Sequence, residues 1–366
     1  MKKIIFLCGA RDFHAMDWYR SAKKKFGTSN VAVMADIISA EGLNSLVQDD
    51  DELITLHILD RMLFRKSSRI GDIWRNLLKL MVLPLQACKL RMYYKRNPNT
   101  IFHAHGMYYM QLAAISKVPF VGTPQGSELL VRPYKSKFYR KFATNALRAA
   151  KYVTVDSLNM QASAERFSGI RPIIVQNGID VKSILSSLTD TDNVQRKLCV
   201  SVRGFTPLYR EIELLNGRNS SKKYNNESIH FVYPFADIPY LEEAKRFMSD
   251  NDKLIGRLQR DELYKLLKNT EIVFSIPSSD SSPRSVYEAI FLGCVIIISP
   301  NNYVDILPDC MRKRIVIADI TKDGWFDEAV EKAKHVAEYP FIPDGESIKS
   351  FDQEESFNTV YQLLIS

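Results

Sequence analysis

Paired cysteines are missing from this sequence. Its five, Cys8, Cys88, Cys199, Cys294 and Cys310, form no CxxC unit, and no histidine stands at metal spacing from them. A disulfide scaffold and a zinc knuckle are thereby excluded, and buried free thiols in a reducing compartment are expected. Long apolar runs are missing too: none reaches the roughly 18 to 20 residues of a membrane span. The opening Met1–Ala10 imitates a signal peptide, but its apolar run, Ile4 to Ala10, is only seven residues long and Arg11-Asp12 follow at once. A buried first strand fits better, and a cytoplasmic protein is expected. No internal repeat and no nucleic-acid-binding motif is present.

What is there describes a globular protein of two domains. The apolar fraction of 46 % and charged fraction of 25 % can build cores, and 366 residues exceed what one core usually serves. The net charge of +8 hides an asymmetry: residues 1–180 hold 27 Lys/Arg against 14 Asp/Glu, the remainder 23 against 28. One half is therefore expected to face an anionic surface.

Short apolar runs ending in Gly, Ser, Asp or His alternate with helical patterns. They include Ile4–Leu7, Val31–Met34, Leu53–Leu56, Thr100–Phe102, Pro119–Val121 and Tyr152–Val155. The rhythm restarts after Asp180 with Leu198–Val202, His230–Tyr233, Ile272–Ile276, Val295–Ile298 and Ile315–Ile317. Continuous apolar runs suit strands buried on both faces, so the spacing predicts two parallel, doubly wound α/β domains in tandem. Domains are expected over 1–182 and 183–345, with residues 346–366 packing back at the junction. Ser347–Ile365 reads as one helix and Asn216–Ser228 as a surface loop.

The segment Ser278–Gly293 carries the most chemistry. It links two apolar runs; Ser281 or Ser282 can cap a helix, and Pro283 suits its first position. A helix start offers N–H groups and a positive dipole end to phosphate. Asp280 and Glu288 lie eight residues apart and can accept from vicinal hydroxyls of a ribose or sugar; an ordinary crossover helix with surface charges fits the same pattern.

The Ser-Asp-x-x-Pro-x-Ser-x-x-Glu-Ala pattern beginning at Ser279 resembles the acidic-x7-Glu motif of retaining GT-B glycosyltransferases, especially glycosyltransferase family four of bacterial surface-polysaccharide synthesis. Val118–Glu128, Ala150–Ser157, Ile174–Asp180 and Leu254–Leu258 are similar to that family's other segments, in order. The resemblance implies the GT-B fold, two Rossmann-like domains facing a cleft, and sugar transfer from a nucleotide diphosphate, UDP by preference, with no metal or other cofactor. It implies that Glu288 binds the donor ribose and Asp280 lies near the transferred sugar. Arg203, which follows Leu198–Val202, would hold the diphosphate; pairing with Glu211 or Glu213 is the alternative. Arg210 is the nearest substitute for the family's lysine. Pro283, Arg284 and Ser285 at the helix start, Gly256-Arg257, and Gly9 after the first strand complete the donor side. Gln125 stands where relatives carry histidine; it can bond a sugar hydroxyl but cannot shuttle a proton. Arg203, Asp280 and Gln125 form the expected catalytic set, and His14, His105, Gly126 and Ser127 the acceptor side. His103-x-His105 raises metal binding, but no third ligand stands out.

Residues 61–96 hold ten basic side chains, from Arg61 to Arg96, and one acid, Asp72, interleaved with apolar and aromatic residues. That mixture describes an interfacial helix drawn to anionic lipid; a core-packed helix with a solvated face has the same pattern. Together with the resemblance, which implies bacterial surface-polysaccharide assembly, the expected acceptor is a polyprenyl-pyrophosphate-linked saccharide at the inner face of the plasma membrane. A soluble transferase with a small acceptor and a catalytically silent GT-B binding module are the alternatives.

Overall fold

The computed structural model describes residues 2–39, 46–64, 69–188 and 196–365. It divides into one unit of Met1–Gln176 with Glu354–Ser366, and a second of Asn177–Gln353. The chain thus passes between them twice, at 176/177 and 353/354, where the sequence reading divides it at 182/183 and 345/346.

The first unit holds a seven-stranded parallel sheet: β1 (Lys3–Leu7), β2 (Val31–Ala35), β3 (Leu53–Thr55), β4 (Thr100–His105), β5 (Phe120–Thr123), β6 (Tyr152–Val155) and β7 (Ile173–Ile174), in the order β3-β2-β1-β4-β5-β6-β7. Side chains alternate across it, as the strand period of two requires. Ile5, Leu7, Phe102 and Ala104 pack with Leu83, Leu90 and Met110 on one face. Ile4, Phe6, Val31 and Val33 pack on the other with Trp18, Tyr19, Phe357 and Val360. Asp12 caps the helix Phe13–Phe26, accepting from the His14 and Ala15 N–H groups.

The second unit repeats the plan with β8 (Leu198–Ser201), β9 (Ile229–Val232), β10 (Lys253–Gly256), β11 (Thr270–Ser275), β12 (Val295–Ile298) and β13 (Ile315–Ile317), ordered β10-β9-β8-β11-β12-β13. Val200, Val273, Ile296 and Ile298 meet the helix Arg284–Phe291 on one face. Cys199, Phe231, Phe274 and Ile297 meet the helix Trp325–Ala337 on the other. Both units are therefore doubly wound, as expected.

Three local readings need correction. Ser347–Ile365 is two helices, Gly345–Phe351 and Gln353–Ile365. The break is Asp352, whose extended backbone (φ −70°, ψ 130°) bridges Ile179; the Gln353 N–H donates to the Ile179 carbonyl at 2.9 Å. Gly178 lies so close to that crossing that a Cβ would sit 2.5 Å from Gln353 Cα, and its φ of +71° also favours glycine. Asn216–Ser228 is not wholly a surface loop: the helix Glu211–Asn219 runs into it and buries Arg218 completely. Arg218 Nη1 pairs with Asp252 at 2.7 Å, both side chains 0 % exposed, and also donates to the Glu227 carbonyl. The third correction, at the cap of the helix Arg284–Phe291, belongs to the site below. The predicted boundary stretch Thr189–Asn193 lies outside the described residues.

Removing one partner of a buried ion pair strands the other. Asp252→Ala is expected to cost about 3–5 kcal/mol, read as a lower urea midpoint; an unchanged midpoint would show that the carbonyls around Arg218 suffice.

Candidate functional site

In an open α/β sheet the loops separate at the switch point, where successive strands begin to add on opposite sides, and a crevice opens at the strand C-termini. In the second unit that point lies between β8 and β11. The register Ser201↔Phe274 brings the residues beyond each strand side by side. Arg203 Nε accordingly donates to Ser275 Oγ at 2.8 Å, and Arg203 Nη2 pairs with Asp280 Oδ2 at 2.8 Å. Its guanidinium lies 5.6 Å from the Tyr209 ring centre. The loops are fastened together: Ser278 N–H donates to the Leu208 carbonyl and Asp280 N–H to Asn301 Oδ1, both at 2.9 Å. Arg203 therefore pairs with Asp280 rather than with Glu211 or Glu213 as an ion pair.

Pro283, not a serine, occupies the N-cap of the helix Arg284–Phe291, and no side chain caps it. The expected serine cap is not formed; before it, Asp280 Oδ1 accepts from the Ser281 N–H at 2.8 Å. Glu288, one turn further along, is buried and accepts from the Tyr264 hydroxyl at 3.1 Å. Burial raises its pKa, while the charges of Arg284 and Arg260 oppose the rise. Ser285 is half-buried beside Arg284. Arg210 stands at the start of the helix Glu211–Asn219 with a left-handed backbone, φ 60°. Gly256 ends the edge strand β10, Arg257 is exposed beyond it, and neither bonds to the Arg203–Asp280 pair.

In the first unit the switch point lies between β1 and β4, and a depression of about 170 Å³ opens there. Gly9, Gln125 and His105 line it. Gly9 makes room for the Tyr109 hydroxyl, which a Cβ would approach to 3.2 Å. Gln125 Nε2 donates to Asp12 Oδ2 at 2.8 Å, so the loops after β5 and β1 are joined. His105 is buried, its pKa pushed down to about 4 by desolvation, and its Nε2 has no hydrogen-bond partner. His103 donates to or accepts from Thr123 Oγ1 at 2.9 Å, 4.1 Å from the His105 ring. Among the described residues no group of three His, Cys, Asp or Glu side chains could hold a metal ion. His14 is exposed on the helix Phe13–Phe26, and neither it nor Gly126 or Ser127 lines the depression.

Sequence reasoning missed the residues that hold these loops. Glu128 is buried and accepts from the Met107 N–H at 2.8 Å and the Gln125 N–H at 2.9 Å, tying the loop after β4 to that after β5. Its signal was the capping-box spacing from Gln125. Asp36, fully buried at the end of β2, receives Lys79 Nζ at 3.1 Å and the Tyr109 hydroxyl. Lys79 was counted among surface charges, and only the fold reveals its partner. Burial lowers its pKa, while Asp36 works to keep it charged.

Lys79 sits on the helix Arg69–Arg96. Leu78, Leu83, Ala87 and Leu90 of that helix face the core. Ile73 (63 % exposed), Leu77, Leu80, Met81 and Leu85 (61 %) form an outward stripe, with exposed Arg91, Lys95 and Arg96 at its end. No described helix is long and apolar enough to cross a membrane. Arg65 and Lys66 lie outside the described residues, as do the side chains of Arg69 and Asp72.

No family model matches the sequence, and no curated protein matches it. Solved structures do match along its whole length. HepE from Anabaena in complex with UDP superposes with TM-score 0.70 at 14 % identity, covering 99 % of each chain. A sucrose-phosphate synthase from Thermosynechococcus elongatus gives TM-score 0.71 at 11 % identity, covering 99 % of this chain and 98 % of that one. A UDP-forming trehalose-phosphate synthase from Burkholderia xenovorans gives 0.70 at 13 %, covering 100 % and 99 %. This is the GT-B fold. Its second Rossmann-like unit carries Arg203, Asp280 and Glu288, and its first carries the Gly9–Gln125–His105 depression.

Glu211 adds a measurable signature. Burial holds its carboxyl protonated up to about pH 8, against the pull of Ser201, at 2.7 Å, and of Arg203. The folded chain thus binds this proton more tightly than the unfolded chain does. The associated stability is fully present below about pH 4.5 and is lost as pH rises through about 8. Glu211→Gln is expected to flatten that decline, read as melting temperature against pH; parallel curves for the two chains would refute a protonated Glu211.

Proposed function

We propose that the chain is a retaining glycosyltransferase that moves a hexose-type sugar from a nucleoside diphosphate, UDP by preference, to a lipid-linked saccharide. The observation that carries this reading is the cluster at the second unit's switch point. Arg203, in ion pair with Asp280, stands on the loop after β8, and an uncapped helix start and the buried carboxyl of Glu288 follow β11. An arginine fork and a helix N-terminus suit a diphosphate, and a buried carboxylate suits ribose hydroxyls. The GT-B fold, and neighbours solved with UDP and with UDP-glucose, support the donor class.

In the mechanism we favour, the bond from the anomeric carbon to the diphosphate oxygen breaks, and its electron pair leaves with the diphosphate. Arg203 stabilises the charge that develops there. The acceptor hydroxyl forms the new bond on the same face and gives its proton to the departing oxygen, so retention needs no protein nucleophile. Gln125, held by Asp12, positions a hydroxyl rather than carrying a proton.

The membrane part of the reading rests on the outward apolar stripe of the helix Arg69–Arg96 and the exposed basic side chains at its end. Such a surface lies in the interface and is held by anionic lipid. We accordingly place the protein at the inner face of the plasma membrane as a peripheral protein.

UDP and UDP-glucose are expected to raise the melting temperature by about 2–4 °C at a hundredfold excess over Kd. Arg203→Ala and Glu288→Ala should lose that response. Undiminished shifts in both variants would overturn the donor site. In flotation, the chain should rise with phosphatidylglycerol vesicles and not with phosphatidylcholine vesicles. Ile73→Ser with Leu85→Ser, both at exposed positions, should abolish flotation. No binding by the parent chain would leave the soluble-acceptor reading in its place.

A further inference from the structure

Beneath the Arg203–Asp280 pair lies a carboxyl that the proposed reaction does not use. Glu211 opens the helix Glu211–Asn219 and is 1 % exposed. Its Oε1 accepts from Ser201 Oγ at 2.7 Å, and Ser201 ends β8 two residues before Arg203. Its Oε2 is buried and has no hydrogen-bond partner. Among the described residues no lysine, arginine or histidine forms an ion pair with Glu211; Arg203 makes its close contacts with Ser275 Oγ and Asp280, each at 2.8 Å. A buried carboxylate with one bare oxygen and no paired counter-ion is strongly disfavoured, and a proton on that oxygen removes the charge.

The surroundings of Glu211 contain little that would hold it ionised. Glu213, on the same helix, is a second carboxyl and opposes ionisation of the first. Tyr240, on the helix Ile238–Lys245, accepts from the Ile212 N–H at 3.2 Å and donates to Glu213 at 3.4 Å, so its hydroxyl is engaged elsewhere. The cation whose charge reaches Glu211 is Arg203, and burial outweighs its pull, so the carboxyl keeps its proton up to about pH 8. Ser201, Glu211, Arg203, Ser275 and Asp280 thus form one connected cluster with a single arginine at its centre. When Glu211 is neutral, Arg203 is matched by Asp280 alone. When Glu211 is ionised, two carboxylates act on one guanidinium, and less positive potential reaches the crevice.

We infer that Glu211 is a positioning residue for the donor diphosphate: as a neutral acid it leaves the charge of Arg203 to the anion, and as a carboxylate it draws that charge away. This role rests on the reading of the second unit's crevice as the donor site. Linkage makes it reciprocal. A diphosphate bound at Arg203 brings negative charge, and Glu211 then holds its proton more tightly. Above about pH 8 diphosphate binding therefore takes up protons, and affinity falls as pH rises. Well below that pH Glu211 is neutral in the free and the bound chain alike, and its titration contributes nothing. A group with almost no exposed surface thereby couples donor affinity to pH.

Calorimetry of UDP binding to the full chain at about pH 7 and about pH 9 tests this, since one pKa unit of coupling corresponds to about tenfold in affinity. The parent chain is expected to bind UDP about three- to tenfold more weakly at the higher pH. Titrations at about pH 8.5 in buffers of different ionisation enthalpy should show uptake of roughly half a proton. Glu211→Gln, whose amide does not ionise, should lose both the fall in affinity and the uptake. Glu211→Met, of similar length, serves the same purpose if the amide variant does not fold, and a cooperative thermal transition checks each. A side chain that merely packed the helix would leave the proton count of UDP binding unchanged on substitution. The role of Glu211 is overturned if the parent binds UDP equally at both pH values without uptake, or if uptake persists in a folded variant. Either result leaves the donor site standing. Failure of the parent to bind UDP at any pH would overturn the donor reading itself, and this role with it.

Discussion

The architecture of the first unit turns on one buried ion pair, Asp36 with Lys79. A carboxylate with no exposed surface is tolerated only where it is paired and bonded, and Asp36 has Lys79, the Tyr109 hydroxyl and Gln86 around it. Lys79 also lies 4.2 Å and 4.4 Å from the ring centres of Tyr108 and Tyr109, where a desolvated ammonium gains cation–π attraction. The pair sets the rotation of the helix Arg69–Arg96 against the sheet. With Lys79 turned inward, helical spacing brings Leu83, Gln86 and Leu90 to the core and sends Ile73, Leu77, Leu80 and Leu85 outward. The same rotation carries Arg75, one turn before Lys79, to the rim of the depression. One interaction therefore decides both which face of the helix is apolar to solvent and which cations border the pocket.

The second unit has a fully buried pair of its own, Arg218 with Asp252, but orients its site arginine without one. Arg203 is about 8 % exposed and its counter-ion Asp280 is more open. Its orientation comes from three loops fastened by Ser275, by the Ser278–Leu208 bond, and by Asn301. Beneath it, Glu211 stays protonated near neutrality because burial outweighs the arginine's attraction. A neutral Glu211 leaves Arg203 with one full counter-charge, Asp280, instead of two. That matters for an anion site, since an arginine matched by two carboxylates has little field left for a phosphate.

Much of this was legible in the sequence because the determinants are local. Eleven strands announce themselves as apolar runs. The short edge strands β7 and β10 do not: β7 is two residues long, and β10 opens on Lys253 and closes on Gly256, which leaves only Leu254-Ile255 as an apolar run. Asp280, Glu288 and Arg203 could be picked out because their spacing from strand ends is a local matter. The pairing of Arg203 with Asp280 spans two loops joined by strand register, and spacing carries no information on it. Arg218 read as a loop residue because its partner Asp252 is distant along the chain. Lys79 sits in a run of basic residues whose composition suggests a solvated face. A buried lysine betrays itself only through the carboxylate that a different strand supplies.

The charge asymmetry between the halves of the chain takes on a different meaning at the level of sites. The first 180 residues carry the basic excess, and a large share of it lies on the helix Arg69–Arg96 and around the first unit's depression. The second half is net acidic, which on its own would repel a diphosphate. Screening decides the matter: beyond about 8 Å at physiological salt, exposed carboxylates contribute little to a crevice. The groups that count are those close by: Arg203 with its counter-ion Asp280, Arg284 and Arg260, whose two charges reach the buried Glu288, and the N–H groups of an uncapped helix start. An acidic domain can thus present arginines and helix N–H groups at its crevice. The sign of a half-chain's net charge predicts what its outer surface meets, and the few side chains at a switch point decide what its site holds.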